Sequence, residues 1–218
     1  MSDHSLTRPA TVPPVGSRQA ARLWAALESI PGPSAVRQAW RDQLGPPYAF
    51  FKPAFLKPVP GRLAGSVPCP LFCGCWHLVI QCEDGSLIAG CQCGSDRGPF
   101  TLTRDDITLW EPDWPKLAAA ICAALGFRLK IARLFDLRNT LQLGRYPPGD
   151  TPVVFSIQFI QADLLHALST LATRLPQPFI FLTPTSRHLD QAAVEALFDL
   201  GYHTKNVDVI FKRVFGRA

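Results

Sequence analysis

Six of the seven cysteines in this 218-residue chain fall between positions 69 and 93: Cys69, Cys73, Cys75, Cys82, Cys91 and Cys93. Thiols gathered this way can close disulfides, pack as small apolar side chains, or ligate a metal ion. An odd total suits a disulfide framework poorly, and in a reducing compartment clustered cysteines are metal ligands more often than bridges. Cys69 and Cys73 precede Gly74, and Cys91 and Cys93 precede Gly94, so two tight cysteine-bearing turns flank a stretch of alternating β character. Between them Glu83, Asp84, Gly85 and Ser86 offer a hairpin turn, because Asp-Gly tolerates the positive φ angles of a type I′ turn. With Asp84 and Gly85 at its tip, Cys82 faces Leu87, Ile80 faces Ala89, Leu78 faces Cys91 and Trp76 faces Cys93. Both cysteine turns then meet at the open end. Two strands alone bury too little surface to hold together, whereas four thiolates around Zn²⁺ supply folding free energy directly.

The arrangement resembles a zinc ribbon, over residues 69–94 only. The resemblance implies a structural Zn²⁺ held by Cys69, Cys73, Cys91 and Cys93 in a closed cage, unlike a catalytic zinc, which keeps one position open. The pairs are spaced C-x3-C and C-x-C where C-x2-C is commoner, which leaves the ligand set open. Cys75 and His77 compete for the fourth place. In the register above, Cys91 and Cys93 share the face of Trp76 and Leu78 while Cys75 points the other way, so Cys75 ranks as the substitute ligand. His77 reads as a surface strand residue or a partner behind the ligands. Cys82 lies about six residues along the strand, roughly 20 Å from the site, and cannot ligate. Cys122, among alanines, reads as a small core residue.

Two other groups of residues could bind. In parallel sheets ligands collect at the carboxyl ends of strands, which points to Thr183, Thr185, Ser186, Arg187 and His188, where an apolar strand runs into a helix start suited to phosphate. The plain alternative is a helix cap from Thr185 or Ser186. Ser186, His188 and Asp190 stand too close together for a triad, and the chain has no G-x-S-x-G, Walker A, G-x-G-x-x-G or H-E-x-x-H motif. Further along, Arg128, Lys130, Arg133, Arg138 and Arg145 alternate with apolar residues, a pattern that can track a phosphate backbone or form an ordinary amphipathic connector. Trp110 and Trp114 could be a docking patch or core for the cysteine segment.

Charge is uneven: the net +5 divides as +5 over residues 1–68, −5 over 69–115, +4 over 116–150 and +1 over 151–218. Phosphate recruits basic surfaces, so nucleic acid would meet segments 1–68 and 116–150 before the cysteine segment. With 47% apolar residues the chain can build a core. No apolar run approaches the roughly 20 residues that span a bilayer, and the first 20 residues hold no signal-peptide stretch. The expectation is a cytoplasmic protein without membrane contact.

The elements that must position these residues follow from periodicity. After a leader over 1–17, a helix carries Ala20, Leu23, Trp24, Leu27 and Ile30 on one stripe and stops at Pro31-Gly32-Pro33. A short helix over 34–44 aligns Val36, Trp40 and Leu44. The proline-rich stretch that follows reads as an extended linker. Residues 101–115 read as a loop before a helix over 115–126 with Leu117, Ile121, Ala124 and Leu125 inward. Strand, helix, strand, helix, strand then fill 151–218, with 139–146 as an added antiparallel edge. The expected fold is thus α+β or α/β: N-terminal helices and linker (1–68), a zinc-ribbon-like hairpin module (69–115) and a small βαβαβ parallel-sheet domain (116–218). The expected function is a zinc-stabilised, non-enzymatic binding or adaptor protein with a protein partner, working on a complex that handles nucleic acid. The alternative is a hydrolase or transferase acting on a phosphorylated small molecule at residues 183–188.

Overall fold

The computed structural model describes residues 17–69, 74–90, 98–135, 137–175 and 177–189. Helix α1 (Ser17–Ser29) and the residue after its end direct Leu23, Trp24, Leu27 and Ile30 inward, and Gly32 at φ 65° turns the chain out of it. Strand β1 (Ala35–Val36) takes two residues from the expected second helix, leaving α2 (Arg37–Leu44) with Trp40 and Leu44 fully buried. The Trp40 ring N–H donates to the Trp110 carbonyl at 2.9 Å.

The proline-rich stretch is no linker. It forms α3 (Tyr48–Phe55), β2 (Leu56–Leu63) and β3 (Ser66–Pro68). Its prolines fall at a helix start, inside a short helix at the cost of one intrahelical bond, and on an edge strand. Pro47 is the residue before α3, Pro53 falls near its end, and Pro58 and Pro60 lie on β2, an edge strand whose register breaks between Pro58 and Leu63.

Strands β4 (Trp76–Gln81) and β5 (Leu87–Gly90) form the expected antiparallel hairpin, but one residue out of the expected register: Gln81 pairs with Leu87, Val79 with Ala89 and Leu78 with Gly90. The cause is the turn. The Cys82 N–H donates to the Ser86 carbonyl at 2.9 Å, and the Gly85 N–H to the Cys82 carbonyl at 3.0 Å, so Cys82 belongs to the turn. The hairpin also does not stand alone, since β3 and β6 (Phe100–Leu102) flank it in the order β3-β4-β5-β6. The sheet has its own apolar core of Val36, Val67, Ala89, Leu102 and Ile107. The hairpin is thus part of a four-stranded sheet with its own core rather than an isolated pair of strands, and the cysteine turns at its open end lie mostly outside the described residues.

Residues 103–112 are also more ordered than a loop. Thr103 caps α4 (Arg104–Ile107) in a reciprocal box with Asp106, and β7 (Thr108–Pro112) is the centre of a sheet ordered β1-β7-β2. Burial raises the Asp106 carboxyl, but hydrogen bonds from Thr103 and the Arg37 charge outweigh it and hold it below its ordinary value. Helix α5 (Trp114–Leu125) ends at Gly126 in the left-handed region. Leu117, Ala118, Ile121 and Cys122 face inward, while Ala124 and Leu125 are exposed because the chain turns off at Gly126 into the next strand.

Strands β8 (Arg128–Arg133), β9 (Thr140–Tyr146) and β10 (Thr151–Ser156), helix α6 (Gln161–Arg174) and β11 (Ile180–Leu182) build a sheet ordered β11-β10-β9-β8. Among the described residues only β10 and β11 run parallel, joined through α6, and the other pairs of all three sheets are antiparallel. Of the expected parallel βαβαβ sheet, the described residues hold one βαβ unit, β10-α6-β11, and β9 joins β10 antiparallel through a four-residue turn, as expected of it. Strand β9 is interior rather than an edge, since β8 covers it. The expected helix over 188–202, but for its first two residues, and the strand over 207–215 lie outside the described residues.

Alternation on β10 makes this sheet the middle of three layers. Val154 packs with Leu171 of α6, while Phe155 joins Leu27, Trp40, Phe51, Leu117 and Leu143 in the main core. Trp24 and Trp114 each meet the Phe155 ring edge-on at 6.2 Å. Among the described residues no helix is long and apolar enough to cross a membrane.

Candidate functional site

Of the cysteines expected to hold zinc, Cys73, Cys91 and Cys93 lie outside the described residues. Cys69 is buried, and its N–H donates to the Cys75 carbonyl at 2.9 Å. That bond extends the β3–β4 ladder one pair beyond Pro68 and Trp76, and sets Cys69 across from Cys75. By strand alternation Cys75, His77 and Val79 share one face, and the burial of His77 and exposure of Trp76 and Leu78 identify it as the inner one. His77 is thus not a surface residue: it is 3% exposed, its ring stands 5.3 Å from that of Phe100, and neither ring nitrogen has a hydrogen-bond partner. Among the described residues no group of three or more His, Cys, Asp or Glu side chains is placed to hold a metal ion. Cys82 sits at the far end, in the turn, and Cys122 is buried with its thiol 3.7 Å from the Leu143 carbonyl, burial pushing its pKa up.

The strand-end loop after β11 is held from within. The Glu28 carboxylate, 3% exposed, accepts from the Thr185 N–H at 3.1 Å and from its hydroxyl. The same hydroxyl accepts from the Arg187 N–H at 3.1 Å, and Thr183 donates to the Thr185 carbonyl at 2.7 Å. Of the donors expected to meet phosphate, both of those of Thr185 are therefore on a carboxylate of the protein itself. Ser186 and Arg187 are exposed, and His188 has a buried Nε2 without a hydrogen-bond partner. At the carboxyl end of β10, the Gln158 amide nitrogen lies 2.8 Å from Ser156 Oγ and 3.1 Å from Thr140 Oγ1, so the buried polar groups there satisfy one another.

The five basic residues are strand and turn residues, not a connector. Arg128 and Arg145 both pair with Asp150, whereas Lys130, Arg133 and Arg138 are exposed outside that cluster. All six residues of β8 are exposed and the strand forms one edge of its sheet. Trp110 and Trp114 pack against the main core.

Two features escaped sequence reasoning. Glu28 gave no signal, since a single acid in a helix is ordinary. Trp76, Leu78 and Ile80 did give one: with His77 and Val79 they make a strand apolar on both faces. They are 59%, 52% and 51% exposed on the outer face of β4, beside Ile88, which pairs with Ile80. A cleft of about 400 Å³ opens near the hairpin turn between Leu63, Leu87, Leu102 and Ile107, with Arg104 its one charged lining residue. Comparison with protein-family models, curated proteins and solved structures yields no match for this chain.

Proposed function

We propose that the protein is a non-enzymatic binding module that docks a partner protein on the outer face of the sheet β3-β4-β5-β6, with Zn²⁺ holding the open end of that sheet through cysteines of segment 69–94. The observation that carries this reading is the exposed row Trp76, Leu78 and Ile80. Fully burying a large apolar side chain is worth about 1.5–3 kcal/mol, so covering the exposed halves of three is worth on the order of 2–4 kcal/mol. A tryptophan on such a face is the residue type that anchors interfaces most often. The enzyme reading is the weaker one, because Glu28 already takes the Thr185 donors it would use.

The test is a photo-cross-linking residue placed at Leu78 and, separately, at exposed Asp163 of α6, with irradiation in cells. A discrete protein adduct from position 78 and none from 163 is expected. The same adducts from both, or none from either, would remove the reading. A second reading adds nucleic acid along β8, favoured by the exposure of Lys130, Arg133 and Arg138.

A further inference from the structure

We propose that β8 is a pairing edge, to which a partner protein adds an extended segment carrying acidic residues between apolar ones. This goes beyond both readings above: the outer face of β4 is a different surface, and a phosphate backbone on β8 would use its cations but leave its main chain idle.

The strand stands apart from the other edges. An edge strand presents a row of unpaired N–H and C=O groups, and proteins protect such rows with short strands, prolines, bulges or charge. Among the described residues, edge strand β1 has two residues, and β3, β6 and β11 have three each. Edge strand β2 is longer but carries Pro58 and Pro60. Strand β8 runs six residues, Arg128–Arg133, without proline or glycine, and all six are exposed. Apart from its pairing with β9, no main-chain hydrogen bond reaches it among the described residues. An added strand would take its affinity from these main-chain groups and its specificity from the side chains beside them.

Charge decides what can pair. Arg128, Lys130 and Arg133 are interleaved with Leu129 and Ile131, which are 48% and 41% exposed. A second copy of the chain fits poorly: antiparallel pairing around the middle of β8 would set Arg128 opposite Arg133, and like charges across a strand pair are destabilising. Acidic side chains on an incoming strand would instead meet Lys130 and Arg133, since Asp150 already holds Arg128. Its apolar side chains would cover Leu129 and Ile131. The main-chain contact is limited, because the register of β8 on β9 shifts between Leu129 and Ala132, and there the Gln142 side-chain amide takes the Lys130 carbonyl at 3.0 Å. The added ladder is therefore short, and the charges beside it matter to its affinity.

The experiment uses the full chain and a fluorescein-labelled peptide of alternating glutamate and valine long enough to span β8. Beside it stand the same peptide with its central amides N-methylated, the same pattern with lysine in place of glutamate, and a labelled duplex DNA. Fluorescence anisotropy reads binding, and amide hydrogen exchange reads where it occurs. The glutamate peptide should bind and slow exchange along β8. Methylation removes its main-chain donors and should weaken it about tenfold or more, the effect of losing one or two hydrogen bonds. The double variant Lys130→Glu/Arg133→Glu should lose the glutamate peptide and gain the lysine one. Equal binding of the methylated and unmethylated peptides, protection away from β8, or an unchanged preference in the double variant would each overturn the proposal. Binding of none of the probes would overturn it too, and binding of the DNA without the peptide would overturn it in favour of nucleic acid on this strand. The comparison of the two glutamate peptides needs no variant, so a double variant that fails to fold does not blunt the test.

Discussion

The carboxylate of Glu28 in α1 holds both the backbone N–H and the hydroxyl of Thr185, 157 positions later in the chain. One contact thus ties the first described helix to the loop that follows β11. It also places a fixed negative charge where the strand-end geometry would otherwise suit an incoming anion.

Removing that carboxylate should have two effects. Hydrogen bonds to a charged group contribute about 1.5–3 kcal/mol, so Glu28→Ala should lower the unfolding free energy by about that much in urea titrations, and Glu28→Gln by less, because its amide oxygen still accepts one bond. The second effect separates a filled anion seat from an ordinary loop. Phosphate should raise the Tm of Glu28→Ala and leave the wild type unchanged. An equal response of both proteins would mean the loop has no preference for anions.

A second dependence runs through Gly144 on β9. A Cβ there would stand 2.4 Å from the Arg128 carbonyl oxygen and 3.0 Å from the Cys122 thiol. Neither neighbour can withdraw easily, since Arg128 belongs to β8, paired with β9, and Cys122 is packed in α5. Gly144→Ala should therefore destabilise by about 1–3 kcal/mol, the usual cost of overpacking. Denaturant unfolding checks this, and the Cys122 thiol reports on it independently: reaction with a thiol reagent in the native state should speed up as α5 and β8 are pushed apart. A variant as stable as the wild type would show that the two elements yield without cost.

What the sequence made legible follows from how local each signal was. The stripe of α1, the helix between β10 and β11, the Gly126 stop and the β4–β5 hairpin each rest on a short stretch and are present. The register slipped by one residue because it hung on whether Cys82 was the last strand residue or the first of the turn, a choice that two backbone hydrogen bonds decide. Prolines misled in the other direction. Pro58 and Pro60 do exclude a central strand, but not an edge, and β2 gained its place only through β7, some 50 residues on. The inward turn of His77 was hidden for the same reason, since it depends on which face β3 and β6 help to bury. The seating of Glu28 against Thr185 is wholly non-local, and no spacing rule reaches it.

The basic strand supplies the sharpest test of nucleic-acid contact, because Asp150 divides its arginines into two groups. Arg128 and Arg145 are engaged by that one carboxylate, while Lys130, Arg133 and Arg138 are not. If β8 follows a phosphate backbone, replacing those three by alanine should weaken binding and flatten the dependence of log K on log salt by about 2–3 units on duplex DNA, close to one per lost phosphate contact. Asp150→Asn should act in the opposite sense: it frees the Arg128 guanidinium on the β8 edge, while Arg145 on β9 keeps its bond to the Asp150 carbonyl at 2.8 Å, so binding should tighten and its salt slope steepen. Fluorescence anisotropy over a salt series reads both. A triple variant with the wild-type slope would remove nucleic acid from the account of this strand. A flattened slope without any response to Asp150→Asn would confine the contact to Lys130, Arg133 and Arg138, and leave the Asp150 pairs as a clasp on the β9–β10 turn.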